Sequence, residues 1–228
     1  MPVRRHLRAR PDPAEFPGAE QFLPHAHTLQ ALNTAVQGCR GCPLYRRATQ
    51  AVFGEGLATS RIMLIGEQPG DAEDRRGRPF VGPSGRLLDE ALARAGIPRD
   101  EVYVTNAVKH FKYTMRGKRR IHDKPSRYET TACQPWLGEE LAIVEPEVIV
   151  LLGATAAQAL LGTDFRVSMS RGIDLANELA EARALAPHVF ATVHPGAVLR
   201  AVDKAAREKS RAAFFADLAR VGDVFRGL

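Results

Sequence analysis

Cysteine is scarce in this chain of 228 residues: Cys39, Cys42 and Cys133 are all there is. Three thiols cannot build a disulfide framework, which excludes the stapled secreted scaffolds and leaves buried thiols or metal ligands. Long apolar runs are missing too. Nothing approaches the ~20 apolar residues of a membrane span, and the basic residues 1–10 lead into no signal-peptide core. The protein is therefore expected to be intracellular and cytoplasmic, with no membrane partner. Internal repeats and low-complexity segments are also absent. What remains is ordinary globular material, 45% apolar and 25% charged, enough for one generous domain and short for two.

The net charge of +6 and pI near 9.5 favour an acidic partner only where the excess is concentrated. It is concentrated in residues 109–127, with eight Lys/Arg against one acid, Asp123. Gly117 and Pro125 interrupt this segment and it has no apolar period, so it is expected to be a solvated loop. Such loops meet polyanions by releasing condensed counterions. At its centre lies His122, either a nucleophile or proton carrier placed where nucleic acid would lie, or a bystander in a basic loop.

The proline-bearing residues 1–24 read as an N-terminal extension, and residues 25–228 as a single domain. A short helix is expected over residues 25–36, with Leu29, Leu32 and Val36 on its apolar stripe. Cys39-Arg40-Gly41-Cys42 follows it in a loop, where two thiolates two residues apart can chelate one metal centre. Four strands are expected at 61–65, 101–106, 147–152 and 189–193. Helical patterns from residue 84 or 85, at 127–144, at 154–161 and at 203–225 fall between and after them. Alternating strands and helices give an α/β fold. Residues 174–186 read as a weak helix or an inserted connection.

Polar groups gather where strands end, the edge at which open α/β sheets bind ligands. The first strand runs into Gly66-Glu67-Gln68-Pro69-Gly70, a carboxylate and an amide held between glycines. The second delivers Asn106, whose amide can read a pyrimidine edge. The fourth ends in His194-Pro195-Gly196. Between the first two, a rigid loop presents Phe80, a stacking platform or a core residue, and the helix starting near Ser84 can receive a phosphate at its N-terminus.

These pieces in this order resemble the uracil-DNA glycosylase superfamily, and most closely the branch called UdgX, related to the iron–sulfur family 4 enzymes. The resemblance rests on Gly66 to Gly70, the Phe80 loop, Thr105-Asn106-Ala107-Val108-Lys109-His110, the Lys-Arg-Arg-Ile-His run of residues 118–122, and His194-Pro195. It covers the chain from about residue 29 to its end. Gln68 and the inserted basic run point to the X branch. The resemblance implies a three-layer α/β/α fold with a central four-stranded parallel sheet.

It also implies roles. Uracil must leave the stack to be reached; Phe80 would stack it and Asn106 read it, in a pocket whose wall includes Gly66 and Gly70. His194 would donate to the departing base and Glu67 would stabilise the sugar cation, with Gln68 beside it in the catalytic set. His122 would attack C1′ and leave the protein bonded to DNA, its ring kept uncharged by Lys118, Arg119, Arg120 and Lys124. Those four cations and Ser84 would contact DNA, single-stranded DNA being preferred. Cys39, Cys42, Cys133 and His110 would hold a 4Fe–4S cluster of structural role, with a structural zinc as the alternative.

Two departures stand out: Gly196 where a serine is expected, and Asp123 where a lysine is expected. The alternatives are a multi-turnover glycosylase using water and a non-catalytic module that binds uracil-containing DNA. Glu67, Asn106 and His194 together speak against the module, since binding alone needs no groups that serve a transition state. Nothing in the sequence demands more than a monomer.

Overall fold

A computed structural model describes residues 16–228. Nine helices follow the chain among the described residues: α1 (Leu29–Val36), α2 (Asp71–Arg76), α3 (Pro83–Ala95), α4 (Arg127–Val144), α5 (Ala154–Leu161), α6 (Val167–Ser170), α7 (Ala180–Arg183), α8 (Pro195–Leu199) and α9 (Lys204–Gly227). The strands are β1 (Ile62–Gly66), β2 (Val102–Asn106), β3 (Tyr113–Arg116), β4 (Arg119–His122), β5 (Val148–Leu152) and β6 (His188–Thr192). Four of them form a sheet in the order β2-β1-β5-β6, parallel throughout. This is the three-layer architecture expected from the sequence.

The layers follow from the period of two along a strand. Ile62 and Leu64 of β1, with Val148 and Val150 of β5, face α3 and α9 through Leu88, Leu92, Phe214 and Leu218. Their neighbours Met63, Ile65, Ile149 and Leu151 face the opposite way, toward Leu137 of α4 and Ala156 and Ala157 of α5. Because both faces are covered, each central strand is apolar along its whole length. Every residue of β1, β2 and β5 is buried.

A third apolar cluster lies beside the sheet, where Cys39, Cys42 and Cys133 pack with Leu32, Val36 and Trp136. Phe16 and Ala19 are buried as well, and the Gly18 and Ala19 amides bond the carbonyls of Gly41 and Ala132. The described part of the expected extension, residues 16–24, is thus fastened over the cysteines; residues 1–15 of that extension lie outside the described residues. Among the described residues no helix is long and apolar enough to cross a membrane.

The basic segment corrects one expectation. It is an antiparallel hairpin, β3 with β4, in register from Tyr113↔His122 to Arg116↔Arg119. Its strands are short and mostly exposed, with Tyr113 and Met115 on one face and Ile121 on the other, so no apolar period marks them. Residues 174–186 carry a 3-10 turn, Leu175–Asn177, and α7. Both pack onto the sheet through Leu175 and Ala182.

Candidate active site

One cavity of about 370 Å³ collects Glu67, Gln68, Gly70, Phe80, Ser84, Asn106, His122 and His194. The strand register explains part of this. Gly66 and Asn106 are paired at the ends of β1 and β2. A Cβ on Gly66 would stand 2.4 Å from Asn106 Oδ1 and 2.7 Å from Phe80 Cζ, so only glycine lets amide and ring close over the strand end. Phe80 reaches this position through a left-handed backbone, φ 53°, rare for a bulky residue and typical of functional sites.

The Glu67 loop is held from both sides. Ala107 and Val108 amides bond the carbonyls of Gly66 and Glu67 at 2.9 and 3.0 Å. Glu73 accepts from the Gly70 amide at 3.1 Å and from the Gly82 amide at 2.8 Å, tying the loop to the start of α3. Glu67 itself accepts a short hydrogen bond from the Thr155 hydroxyl. Its other oxygen, Oε1, lies 3.3 Å from His122 Nε2.

His122 is the last residue of β4, and two contacts put it there. Gln68 donates to the carbonyls of Lys112 (3.0 Å) and Asp123 (3.2 Å) and accepts from the Lys112 amide (3.1 Å), closing the base of the hairpin. Both protons of the Gln68 amide, assigned above to the catalytic set, are taken up by the hairpin that carries His122. Arg120 pairs with Asp71 and, at 2.6 Å, with Asp74, pinning the hairpin onto α2. Its guanidinium also lies over the Phe111 and Tyr113 rings. The Arg120 side chain is only 11% exposed, and Asp71 and Asp74 already neutralise its charge.

Burial, followed in size by Glu67, Arg200 and Asp123, sets the His122 charge state, and the net effect holds its pKa below the ordinary 6.5. The ring is neutral near pH 7. Burial and Arg200 push that way, whereas the expected agents, the loop cations, do not contribute. Asp123 pushes the other way and is the smallest of the four influences, so it does not restore the proton.

His194 is neutral as well, its pKa lowered to about 4 by burial, then by Arg200 and His122. Its Nδ1 accepts from the Gly196 amide at 3.0 Å, which leaves the ring proton on Nε2 as a donor. Gly196 stands where a serine was expected. A Cβ there would meet Arg200 Nη1 at 2.9 Å and Ser84 Oγ at 3.1 Å, so a guanidinium and a hydroxyl occupy that corner. Arg200, Glu73 and Thr155 were not singled out in the sequence; Arg200 lies six residues beyond His194, within reach of a search along the same loop and helix.

Cys39, Cys42 and Cys133 are buried in one cluster, and His110 is buried as well. Trp136 Nε1 donates to Cys39 Sγ and the Lys109 amide to Cys133 Sγ, both at 3.3 Å. Burial raises the Cys42 and Cys133 thiols to about 12, so as free thiols they stay protonated. Buried His110 has its pKa lowered to about 4 by burial, and its charged neighbour is Asp74. Among the described residues no group of three or more His, Cys, Asp or Glu side chains is arranged to hold a metal ion. Cys39, Cys42 and Cys133 nonetheless share one buried apolar cluster, and sulfur donors of this kind serve either an iron–sulfur cluster or zinc.

The family model for the uracil DNA glycosylase superfamily matches residues 53–219. The chain is 38% identical to a type-4 uracil-DNA glycosylase of Pyrobaculum aerophilum, covering 75% of this chain and 85% of that protein. Identity to the type-4 uracil-DNA glycosylase of Sulfurisphaera tokodaii is 35%, over 75% and 76% of the two chains. For that of Archaeoglobus fulgidus it is 32%, over 86% and 93%.

Proposed function

The chain belongs to the uracil DNA glycosylase superfamily, and from that membership we propose that it excises uracil from DNA and is captured on the abasic sugar through His122. The observation that carries the capture is a neutral imidazole, 3.3 Å from the Glu67 carboxylate, lining the same cavity as Phe80, Asn106 and His194.

The uridine flips out and its base enters between Phe80 and the Asn106 amide. The C1′–N1 bond breaks and uracil leaves with the bonding pair as an anion. His194 Nε2–H donates to the oxygen on which that charge collects; a neutral donor fixed in place before the reaction needs no reorganisation. The sugar is left cationic, and Glu67 faces it. A ring nitrogen of His122 then gives its lone pair to C1′, forming an N–C1′ bond. The resulting imidazolium is neutralised by Glu67, which accounts for the pairing of these two side chains. Exposed Lys118, Arg119 and Lys124, with Ser84 at the cavity, supply phosphate contacts.

Cys39, Cys42 and Cys133 would hold an iron–sulfur cluster that fastens α4 to the N-terminal segment; the buried N–H donors to two sulfurs support thiolates there. Iron and acid-labile sulfide analysis of anaerobically purified protein, compared with Cys133→Ser, tests this.

The enzymatic reading is tested by mixing the protein with a uracil-containing single strand and running it, boiled, on a denaturing gel. A retarded band that is lost in His122→Ala is expected. Abasic DNA without a retarded band would replace capture with hydrolysis by water, and neither product would leave a binding module.

A further inference from the structure

Beyond Thr155, on the far side of Glu67 from the uracil cavity, lies a second and larger cavity. It is a groove of about 780 Å³ lined by Lys124, Arg127, Thr130, Thr131, Thr155 and Thr163 among others, with no acidic residue in its wall. Thr155 joins the two spaces, because its hydroxyl donates to Glu67. Lys124 follows His122 by two residues, so the groove opens directly beside the reactive hairpin.

The charges of the hairpin segment explain what the groove is for. Lys109, Lys112 and Arg120 are neutralised by Glu140, Glu129 and the Asp71/Asp74 pair. Five cations have no ion pair among the described residues: Arg116, Lys118 and Arg119 at the hairpin tip, and Lys124 and Arg127 at the groove. Along the chain they fall on opposite sides of His122. A single patch would grip DNA anywhere; two patches with the reactive ring between them suit a strand that passes over the ring.

We propose that the groove holds the sugar–phosphate of the DNA strand on one side of the flipped uridine, while the hairpin tip holds the strand on the other side. The ligand class is a phosphodiester chain: two cations meet phosphates, and threonine hydroxyls can donate to phosphate or accept from it. This rests on the excision reading above and adds direction to it, since the protein then grips the two flanks of a uracil with different residues.

The test uses the full chain and three labelled single strands, with uracil central, at the 5′ end, or at the 3′ end. The half-saturating protein concentration for uracil release is measured against salt for the native protein, K124Q/R127Q and K118Q/R119Q. On the central-uracil strand, K124Q/R127Q is expected to need more protein, with a log–log salt slope smaller by about 1.4, the value for two phosphates on a single strand. On one of the end-uracil strands, the one already lacking its groove phosphates, the variant is expected to lose nothing further. K118Q/R119Q is expected to show the same insensitivity on the opposite end. Equal losses for K124Q/R127Q on all three strands, or an unchanged salt slope, would overturn the proposal. Should the native protein release no uracil, anisotropy slopes on the same strands still decide the groove, so its failure is separable from that of the excision reading.

Discussion

Within residues 109–127, the anchored cations and the free ones share a segment and a composition but differ in what meets their charge. The side chain of Lys109 is fully buried, its ammonium bonded to Thr105 Oγ1 and the Asn106 carbonyl at 2.8 Å each and, more closely, to Glu140. Glu140 in turn accepts from Tyr103, Thr105 and the Gly54 amide. Arg116, Lys118 and Arg119 at the hairpin tip are exposed and face solvent. One group builds the platform under Asn106 and His122, and the other is available to phosphate. Counting charges along the chain merges them, because the acids that separate them, Asp71, Asp74, Glu129 and Glu140, lie elsewhere in sequence.

Among the anchored cations, Lys109→Met is expected to have the largest effect. Removing one partner strands the Glu140 carboxylate in the core, at a cost of about 3–5 kcal/mol, or roughly 10 °C in the melting temperature of a chain this size. K109M/E140M, which removes both charges, is expected to recover most of that loss in a thermal melt. A K109M protein that melts like the native one would place Lys109 with the free cations.

Arg120→Ala is next. It removes charge-assisted hydrogen bonds to Asp71 and Asp74, each kind contributing about 1.5–3 kcal/mol, and so loosens the hairpin that presents His122. The rate of adduct formation is expected to fall about 10- to 100-fold, with the salt slope of DNA binding unchanged. A smaller slope would mean that Arg120 touches phosphate.

The pH profile of capture tests what holds His122 neutral. The lone pair is lost on protonation, and the folded-state pKa lies below 6.5. Capture is therefore expected to persist as pH drops past 6.5 and to fail only as it passes the lowered value. Stability changes over the same range, because the unfolded histidine binds its proton first and the folded state loses ground as pH falls. His194 extends this loss toward pH 4. Arg200→Gln is expected to move the capture midpoint upward; an unmoved midpoint would remove Arg200 from the cause.

The smallest effect belongs to the tip. K118Q/R119Q is expected to stay within about 0.5 kcal/mol of native stability while the salt slope falls by about 1.4. Chemical denaturation and a salt titration of binding separate the two quantities.

Much of this was legible from residue order. The four parallel strands announce themselves as apolar runs because both sheet faces are covered, and Glu67, Asn106 and His194 stand at strand ends where the sheet itself aims them. The hairpin was not legible, since its strands are short, exposed and cationic and are stabilised by Arg120 and Gln68 reaching partners far away in sequence. The same reason hid the partners of Gln68, an amide beside a strand-end carboxylate whose hydrogen bonds run to the hairpin. Arg200 and Thr155 were hidden because each acts through another side chain. The spacing of Cys39 and Cys42 showed a pair, while the burial of Cys133 beside them depends on the packing of α4.

Delivery of His122 to C1′ by the hairpin is open to peptide mapping of the trapped complex. After nuclease trimming and trypsin digestion, mass spectrometry is expected to find the deoxyribose on the peptide of residues 121–127, with fragment ions placing it on His122. The sugar on another residue, or a peptide of unaltered mass in a protein that has released uracil, would contradict it.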